Sequence, residues 1–477
     1  MEKKMLKTGY FILLLSCFAL QLDANPGLKV RITQKGLDYG WKVGLENIKQ
    51  EIQNETFQSW SDRENFGLVK FYYTVSGLRM NTVEFPDASV SLIPGTGIKL
   101  AIEHASATFH ANWSIKTWLV RNHGGATVSL SGVFITVIFQ VSRDNKGRLS
   151  MLFHNCWLSI HDVKVKLSGG ASWVFNLFAG YLKKPIQAYL DKNLCPKIKH
   201  KIQRMDAELR TLKVLSQIDA FAQIDYSLIN SPAISKTYIN LDLKGTVYPA
   251  GNRTDPPFVP DPFTLPDKNN SMLYLGVSEY FFKSASLAYY NAGAFNITIT
   301  KEFSTYFMPT EVTPNSTIPE VLQLVQNYTM SHPLMLTLQS TAAPMISLQT
   351  GSLTTEITGY LEMFSVLPNS SLQFIFAGNL TVNTSANMTI SKQKLFISLL
   401  LKRFHFSLTR SGVDFSEISL LENFLSRVLW NGAIPAINDK LRKGFPLPNQ
   451  AQTKFIQPVL EFNQGYLLIS TDFHYTL

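Results

Sequence analysis

Residues 127–141 read TVSLSGVFITVIFQV. Apolar and small polar residues alternate through most of this stretch, and β-branched residues are frequent. Period-two alternation sends successive side chains to opposite faces of a strand, so the stretch predicts a long strand with one buried and one wet face. The pattern recurs outward from there. Residues 98–115 (IKLAIEHASATFHANWSI) alternate after the turn-forming run Pro94-Gly95-Thr96-Gly97. Residues 395–408 and 466–475 read the same way in the second half of the chain. Residues 238–247 (YINLDLKGTV) predict a shorter strand with Ile239, Leu241 and Leu243 on one face. Most of the chain reads as strands.

Helical periodicity interrupts in a few places. Leu37, Trp41, Leu45, Ile48 and Ile52 recur at spacings of four, four, three and four, which is one continuous helix face. Val174, Phe178, Leu182, Ile186 and Leu190 mark a second helix, expected to run toward Cys195, end at Pro196 and kink at Pro185. Residues 420–441 form a third apolar run, which contains Pro435. The second and third runs share a pattern: residues 186–192 read IQAYLDK and residues 434–440 read IPAINDK. Each closes a long strand-rich segment. That is consistent with two copies of one unit, strands that roll up with a long helix along them. Periodicity alone reads these helix faces as ordinary core.

The mature length exceeds what one core usually serves and predicts two domains. A boundary can be read at residues 255–267 (DPPFVPDPFTLPD), with five prolines in thirteen residues. Proline fixes φ and removes a donor, so this is an extended, semi-rigid connector.

The first residues point to export. Lys3, Lys4 and Lys7 precede an uncharged apolar stretch at residues 10–20, and the small Ala24 follows. That order predicts a secretory signal peptide over residues 1–24, too short in its apolar part to span a bilayer. Only Cys156 and Cys195 remain in the mature chain. In an exported protein they most simply form one bridge, the alternative being two buried thiols. Sequons stand at Asn54, Asn112, Asn252, Asn269, Asn296, Asn315, Asn327, Asn369, Asn379, Asn383 and Asn387, which predicts a glycoprotein with those segments on its surface.

Charge is uneven. Residues 25–215 carry 25 Lys and Arg against 14 Asp and Glu, whereas residues 216–477 carry 16 against 18. A basic half suits an anionic partner such as a membrane surface or glycolipid. Nucleic acid is disfavoured, because no motif interleaves the basic residues with aromatics. Catalysis is disfavoured too: there is no Gly-x-Ser-x-Gly elbow, His-Glu-x-x-His pair or phosphate loop. His104, His110, His154 and His161 fall in strand-like stretches and read as structural. No metal or cofactor is implied.

Several stretches together resemble one family, that of bactericidal/permeability-increasing and lipopolysaccharide-binding proteins. They are residues 25–40 (NPGLKVRITQKGLDYG), the cysteine pair, residues 214–231 (VLSQIDAFAQIDYSLINS), the Pro-rich connector, residues 273–293 (LYLGVSEYFFKSASLAYYNAG) and residues 443–448 (KGFPLP). Within that family the chain looks most like its fold-containing "C" branch. The resemblance implies an α+β boomerang: two similar rolled antiparallel β-sheet barrels, each with long packed helices, joined by a central sheet and the Pro-rich linker. The boundaries would be 25–215 for the first barrel, 216–267 for central strands and linker, and 268–477 for the second barrel. It implies a Cys156–Cys195 bridge and a phospholipid pocket in each barrel. The helix faces then become pocket walls, with Leu37, Trp41, Leu45 and Ile48 from the first and Leu177, Phe178 and Leu182 from the second. Two acyl chains bring roughly 28 methylenes at ~0.8 kcal/mol each, a gross ~20 kcal/mol before the costs of association.

One departure from the family pattern matters. Endotoxin-binding members carry a cluster of cations around a Trp at the tip of the first barrel. Here the matching residues 112–121 (NWSIKTWLVR) keep Trp113 but only Lys116 and Arg121 as cations. The neighbouring loop adds Arg63 and Lys70 beside Asp62 and Glu64. Another basic cluster is Lys197, Lys199, Lys201 and Arg204. The resemblance therefore implies a secreted, monomeric phospholipid-binding protein of innate immunity with weakened lipopolysaccharide binding. The alternative is an extracellular protein that transfers phospholipid between particles.

Overall fold

A computed structural model describes residues 25–54, 59–66, 69–118, 121–169, 183–300, 332–412, 418–447 and 453–475. The expected signal peptide, the helix residues 174–182 and the sequons at Asn315 and Asn327 lie outside them.

The described chain opens with strand β1 (Leu28–Thr33) and helix α1 (Gln34–Asn54). A first sheet follows, built from β2 (Trp60–Phe66), β3 (Val69–Glu84), β4 (Asp87–Ile93), β5 (Gly97–Lys116), β6 (Arg121–Arg143) and β7 (Leu149–Ser168). Its order is β2-β3-β5-β6-β7, and β4 shares with β3 one edge of the long β5. All pairings are antiparallel. The alternation that opens the sequence reading lies in β6, where Val128, Leu130, Val133, Val137, Phe139 and Val141 are buried. The inward parity switches at Gly132, which takes φ +61° and stands against His161. Bulges in β5 near Ile102 and Ala105, and between Ile138 and Phe139 of β6, bend the sheet further. Among the described residues the sheet ends in the edge strands β2 and β7, so it is rolled but open rather than a closed barrel.

Helix α2 (Lys183–Leu209) packs on the inner face of this sheet. It does not end at Pro196 but passes through it. A proline inside a helix costs about 3 kcal/mol, and tethers on both sides offset that cost. Cys195 is disulfide-bonded to Cys156 of β7, with Cα atoms 5.8 Å apart. Beyond the proline, Ile198 and Ile202 pack with Val137, Phe139 and Val141. One turn on, the Asp206 carboxylate accepts from the Ser150 hydroxyl and the Met151 N–H, each at 2.8 Å.

The middle of the chain supplies β8 (Leu215–Gln217), β9 (Ala222–Asp225), β10 (Ala233–Ile234), β11 (Tyr238–Leu243), β12 (Thr246–Pro249) and β13 (Leu273–Ser278). Residues 238–247 are thus two strands rather than one. The break falls at Gly245, with φ +62°, where a Cβ would stand 2.7 Å from Leu28. The Pro-rich connector is a strap across one face of the central strands. Asn25 and buried Arg31 donate to the carbonyls of Pro260 and Pro266, at 3.0 and 2.7 Å. Phe263 and Leu265 lie so close to Gly276 that a Cβ there would meet them at 2.6 and 2.7 Å. The opposite face is covered by helix α3 (Glu279–Asn291), whose Phe281 and Phe282 join Leu28, Val30, Leu275 and Ile469 in one core. This helix escapes periodicity because it is buried around most of its circumference.

The second half mirrors the first. Strands β14 (Ile297–Ile299), β15 (Leu334–Ser340), β16 (Met345–Gln349), β17 (Ser352–Val366), β18 (Leu372–Ser391), β19 (Lys394–Ser411) and β20 (Phe445–Pro446) form a sheet in which β15 and β16 share one edge of β17. That is the arrangement of β3, β4 and β5. Helix α4 (Ile418–Val428), a π-helical turn (Leu429–Ala433) and helix α5 (Ile434–Leu441) make one rod. The wide turn ends just before Pro435, whose ring needs room in the preceding turn. Strands β21 (Thr453–Asn463) and β22 (Tyr466–Tyr475) return to the centre. The central sheet therefore runs β10-β11-β1-β13-β22-β21, uniting strands from far apart in sequence.

Candidate functional site

Helix α1 lies over the inner face of the first sheet. Its Leu37, Trp41, Leu45 and Ile48 are all half-buried. Trp41 and Leu45 pack, with Leu190 of α2, against the cluster that holds Val75, Leu78, Phe109 and Val128. The Trp41 indole N–H is buried and meets no acceptor among the described residues. Leu177, Phe178 and Leu182 lie outside the described residues. The helix is pinned at its start: Lys35 pairs with Asp472 of β22 at 2.6 Å. The Tyr39 hydroxyl accepts from the N–H of Tyr475 at 3.0 Å and stands 3.1 Å from His474 Nδ1. Burial alone would raise the Asp472 carboxyl, but Lys35 and the Met272 N–H outweigh it and hold it below the usual carboxylate range. Near its far end, Glu51 pairs with Lys201 of α2 at 2.7 Å.

The second half is sealed more tightly. Phe424, Leu425, Val428 and Leu429 are fully buried against Leu361, Met363, Ile375 and Phe376. A cavity of about 40 Å³ remains, lined by apolar groups of Phe295, Ile297, Leu338, Leu380, Ile434 and Ile437. A water needs ~10–15 Å³ of such space, so the cavity as it stands has room for a few waters and not for a full acyl chain.

Cross-strand register builds the tip of the first sheet. Arg63 stands opposite Tyr72, Tyr72 opposite Lys116, and Lys116 opposite Arg121. All four side chains are exposed, as is Lys70. Strands lie ~4.8 Å apart, so the row places three cations within about 15 Å. Trp113 is not part of it. It points inward, 3% exposed, and donates its indole N–H to the Ser168 carbonyl at 3.3 Å. The exposed aromatics at the tip are Tyr72 and Trp118, which sequence reading missed. Strand parity counted from buried Trp113 marks Lys116 as outward, but Tyr72 reaches it only through the register of β3 with β5. In the other basic cluster, Lys201 is committed to Glu51 and Lys199 stands 6.0 Å from the Phe153 ring centroid. Lys197, Lys199 and Arg204 are exposed along α2.

The asparagines of Asn112, Asn252, Asn269, Asn296, Asn369, Asn379, Asn383 and Asn387 are exposed or half-exposed, while the Asn54 side chain lies outside the description. His104, His110, His154 and His161 lie in strands, as read, but are exposed rather than structural core. Among the described residues no three His, Cys, Asp or Glu side chains converge as metal ligands, and no helix is long and apolar enough to cross a membrane.

Comparison with known proteins accords with this architecture. The N-terminal domain model of the LBP / BPI / CETP family matches residues 36–205, and its C-terminal domain model matches residues 216–475. The chain is 37% identical to the human BPI fold-containing family C protein, over 94% of this chain and 89% of that one. It is 31% identical to the bactericidal permeability-increasing protein of Sebastes schlegelii, covering 98% of this chain and 99% of that one. A crystal structure of lipopolysaccharide binding protein superposes with a TM-score of 0.65 at 25% identity, over 95% of this chain and all of the other.

Proposed function

Since the chain belongs to the LBP / BPI / CETP family, we propose that it is a secreted, monomeric lipid-binding protein that holds phospholipid acyl chains between α1 and the inner face of the first sheet. One observation carries the reading. The apolar face of α1 is directed at an apolar sheet, yet Leu37, Trp41, Leu45 and Ile48 along it are only partly buried, whereas Phe424, Leu425, Val428 and Leu429 on the inward face of the matching rod are fully buried. An apolar face that its own fold leaves half-covered gains about 25 cal/mol for each Å² an alkyl chain covers. The second half takes a chain only if its small apolar cavity widens. No catalytic step is assigned to the protein, and its role in innate immunity is recognition.

Lipopolysaccharide binding is retained but weakened. Paired phosphates favour several cations held together. The tip row offers Arg63, Lys116 and Arg121, with the Asn112 sequon on the same face four residues along β5 from Lys116. Native mass spectrometry of the purified protein tests the main reading. The expected spectrum shows phospholipid bound to the monomer, with Leu45→Arg reducing the load without preventing secretion. A protein that emerges without lipid, and takes none up from vesicles, refutes it. Movement of labelled phospholipid between vesicle populations would identify a transfer protein instead.

A further inference from the structure

We propose that the outer face of β6 and β7 is a landing surface for an anionic lipid bilayer. The proposal rests on the lipid-binding reading, since a carrier must meet a membrane to load. Outward positions of a sheet covered on one face are ordinarily polar. Here Trp157 is 51% exposed, Leu152 60% and Phe134 37%, all directed away from the buried positions of the same strands. Trp157 stands opposite Thr136, Phe134 opposite Ser159, and Leu152 opposite Gln140. The Phe134 ring stands edge to face with the ring of exposed His104, centroids 4.9 Å apart.

Cations continue the same face toward the tip. Arg79, His110, Thr127 and Lys166 stand in one row across β3, β5, β6 and β7. Lys164, opposite Ser129, lies in the next outward pair. The acidic groups nearby are Asp162, paired with Lys164 at 3.9 Å, and Asp87, paired with His104 at 2.9 Å beside Phe134, with Glu103 opposite Asp87 on β5 and Glu84 on β3. Seven residues separate Lys164 from Trp157, about 23 Å of strand. The strip thus carries cations at one end and aromatic rings at the other. Indole and phenyl rings settle at the depth of lipid headgroups, and lysines pair with phosphates above them.

The other half is unsuited to the same contact. On β18, Asn379, Asn383 and Asn387 carry sequons at intervals of four on the outward face, opposite Tyr360, Glu356 and Ser398. Glycans there would hold that face off a membrane, whereas strands β2–β7 of the first sheet carry one sequon, Asn112, two residues beyond His110 at the tip end of the strip and away from Trp157 and Phe134.

Flotation with phosphatidylcholine vesicles, with and without phosphatidylserine, tests the proposal. Phe134→Ser with Trp157→Ser should lower partitioning about tenfold on both vesicle types. Lys164→Glu with Lys166→Glu should lower it about tenfold only where phosphatidylserine is present. The replaced side chains are exposed, and an unchanged urea midpoint verifies that each variant folds. Vesicle binding that survives both double substitutions overturns the proposal. So does a loss produced in full by Arg121→Ala at the tip, or a lipid-free dimer that Trp157→Ser dissociates, which would make the occupant a second copy of this chain. Bound lipid, weighed by native mass spectrometry on the same samples, separates the two readings. Variants that keep their lipid but lose vesicles support the landing surface, whereas an unsubstituted protein that binds vesicles while carrying no lipid refutes the pocket alone.

Discussion

Replacing Trp41 by Phe removes one buried N–H and leaves most of the ring in place. In the lipid-free protein two effects oppose each other. The smaller ring loses roughly 1 kcal/mol of burial, and removing a donor that has no protein acceptor returns about 1–3 kcal/mol. Stability should therefore stay level or rise by up to about 2 kcal/mol. Binding responds differently. Phospholipid offers ester carbonyls at the head of its acyl chains, where an indole on α1 can donate. Such a bond is worth about 0.5–1.5 kcal/mol net, or roughly two- to tenfold in Kd. Displacement of a fluorescent phospholipid by diacyl and by dialkyl-ether phosphatidylcholine reads this directly. Trp41→Phe should weaken the diacyl lipid by that factor and leave the ether lipid unchanged. Equal losses for both lipids, or none for either, would refute a polar role for Trp41 and reduce it to a ring in the wall.

Other outcomes follow from the same geometry. The bridge between Cys156 and Cys195 spans 39 positions, so Cys156→Ala with Cys195→Ala should cost the first half ~4 kcal/mol in the chain-entropy view, read as a lower urea midpoint. Burial alone would raise the Asp206 carboxyl, but the Met151 N–H, the Ser150 hydroxyl and Arg210 together hold it below its ordinary value. Its stabilisation is therefore present above the unfolded carboxylate pKa and lost as pH falls through the lower folded value, and Asp206→Asn should flatten the acid limb of a urea-midpoint profile. At the tip, Asn112→Lys with Ser114→Lys and Thr117→Lys should raise lipid A affinity, with Asn112→Gln separating the effect of removing the sequon. Nanomolar binding by the unsubstituted protein at ~150 mM salt, where the Debye length is ~8 Å, would place recognition elsewhere, first along Lys197 to Arg204.

Much of the architecture was legible because alternation and helical spacing are local signals. Strand β6, strand β22 and the face of α1 stand where their patterns put them. Pairing across the chain is not local, and there the reading stopped. Residues 28–33 alternate as a strand does, but nothing within them announces neighbours as distant as β11 and β13. Pro196 looked like a helix end because its missing N–H is visible in sequence, while the tethers that carry the helix past it come from β7. Trp113 looked like a tip residue by neighbourhood, but parity turns it inward, and the tip aromatic Tyr72 comes from another strand brought in by register. The apolar face of α1 was visible in its spacing. Its half-covered state depends on how far the helix stands from the sheet, which periodicity does not encode.

Strand β1 also constrains how the molecule is made. Leu28 pairs with Leu243 on one side and with Val277 on the other. Ribosomes add ~5–20 residues per second, so β1 spends roughly ten seconds or more with neither neighbour available. Its sequence, LKVRIT, is a short apolar-alternating strand with both edges open during that time. Loop closure over such separations is slow, and unpaired edges invite association between nascent chains. The central sheet is therefore the late step of folding, and changes that delay β11 or β13 should show first as aggregation during synthesis rather than as a weaker finished protein.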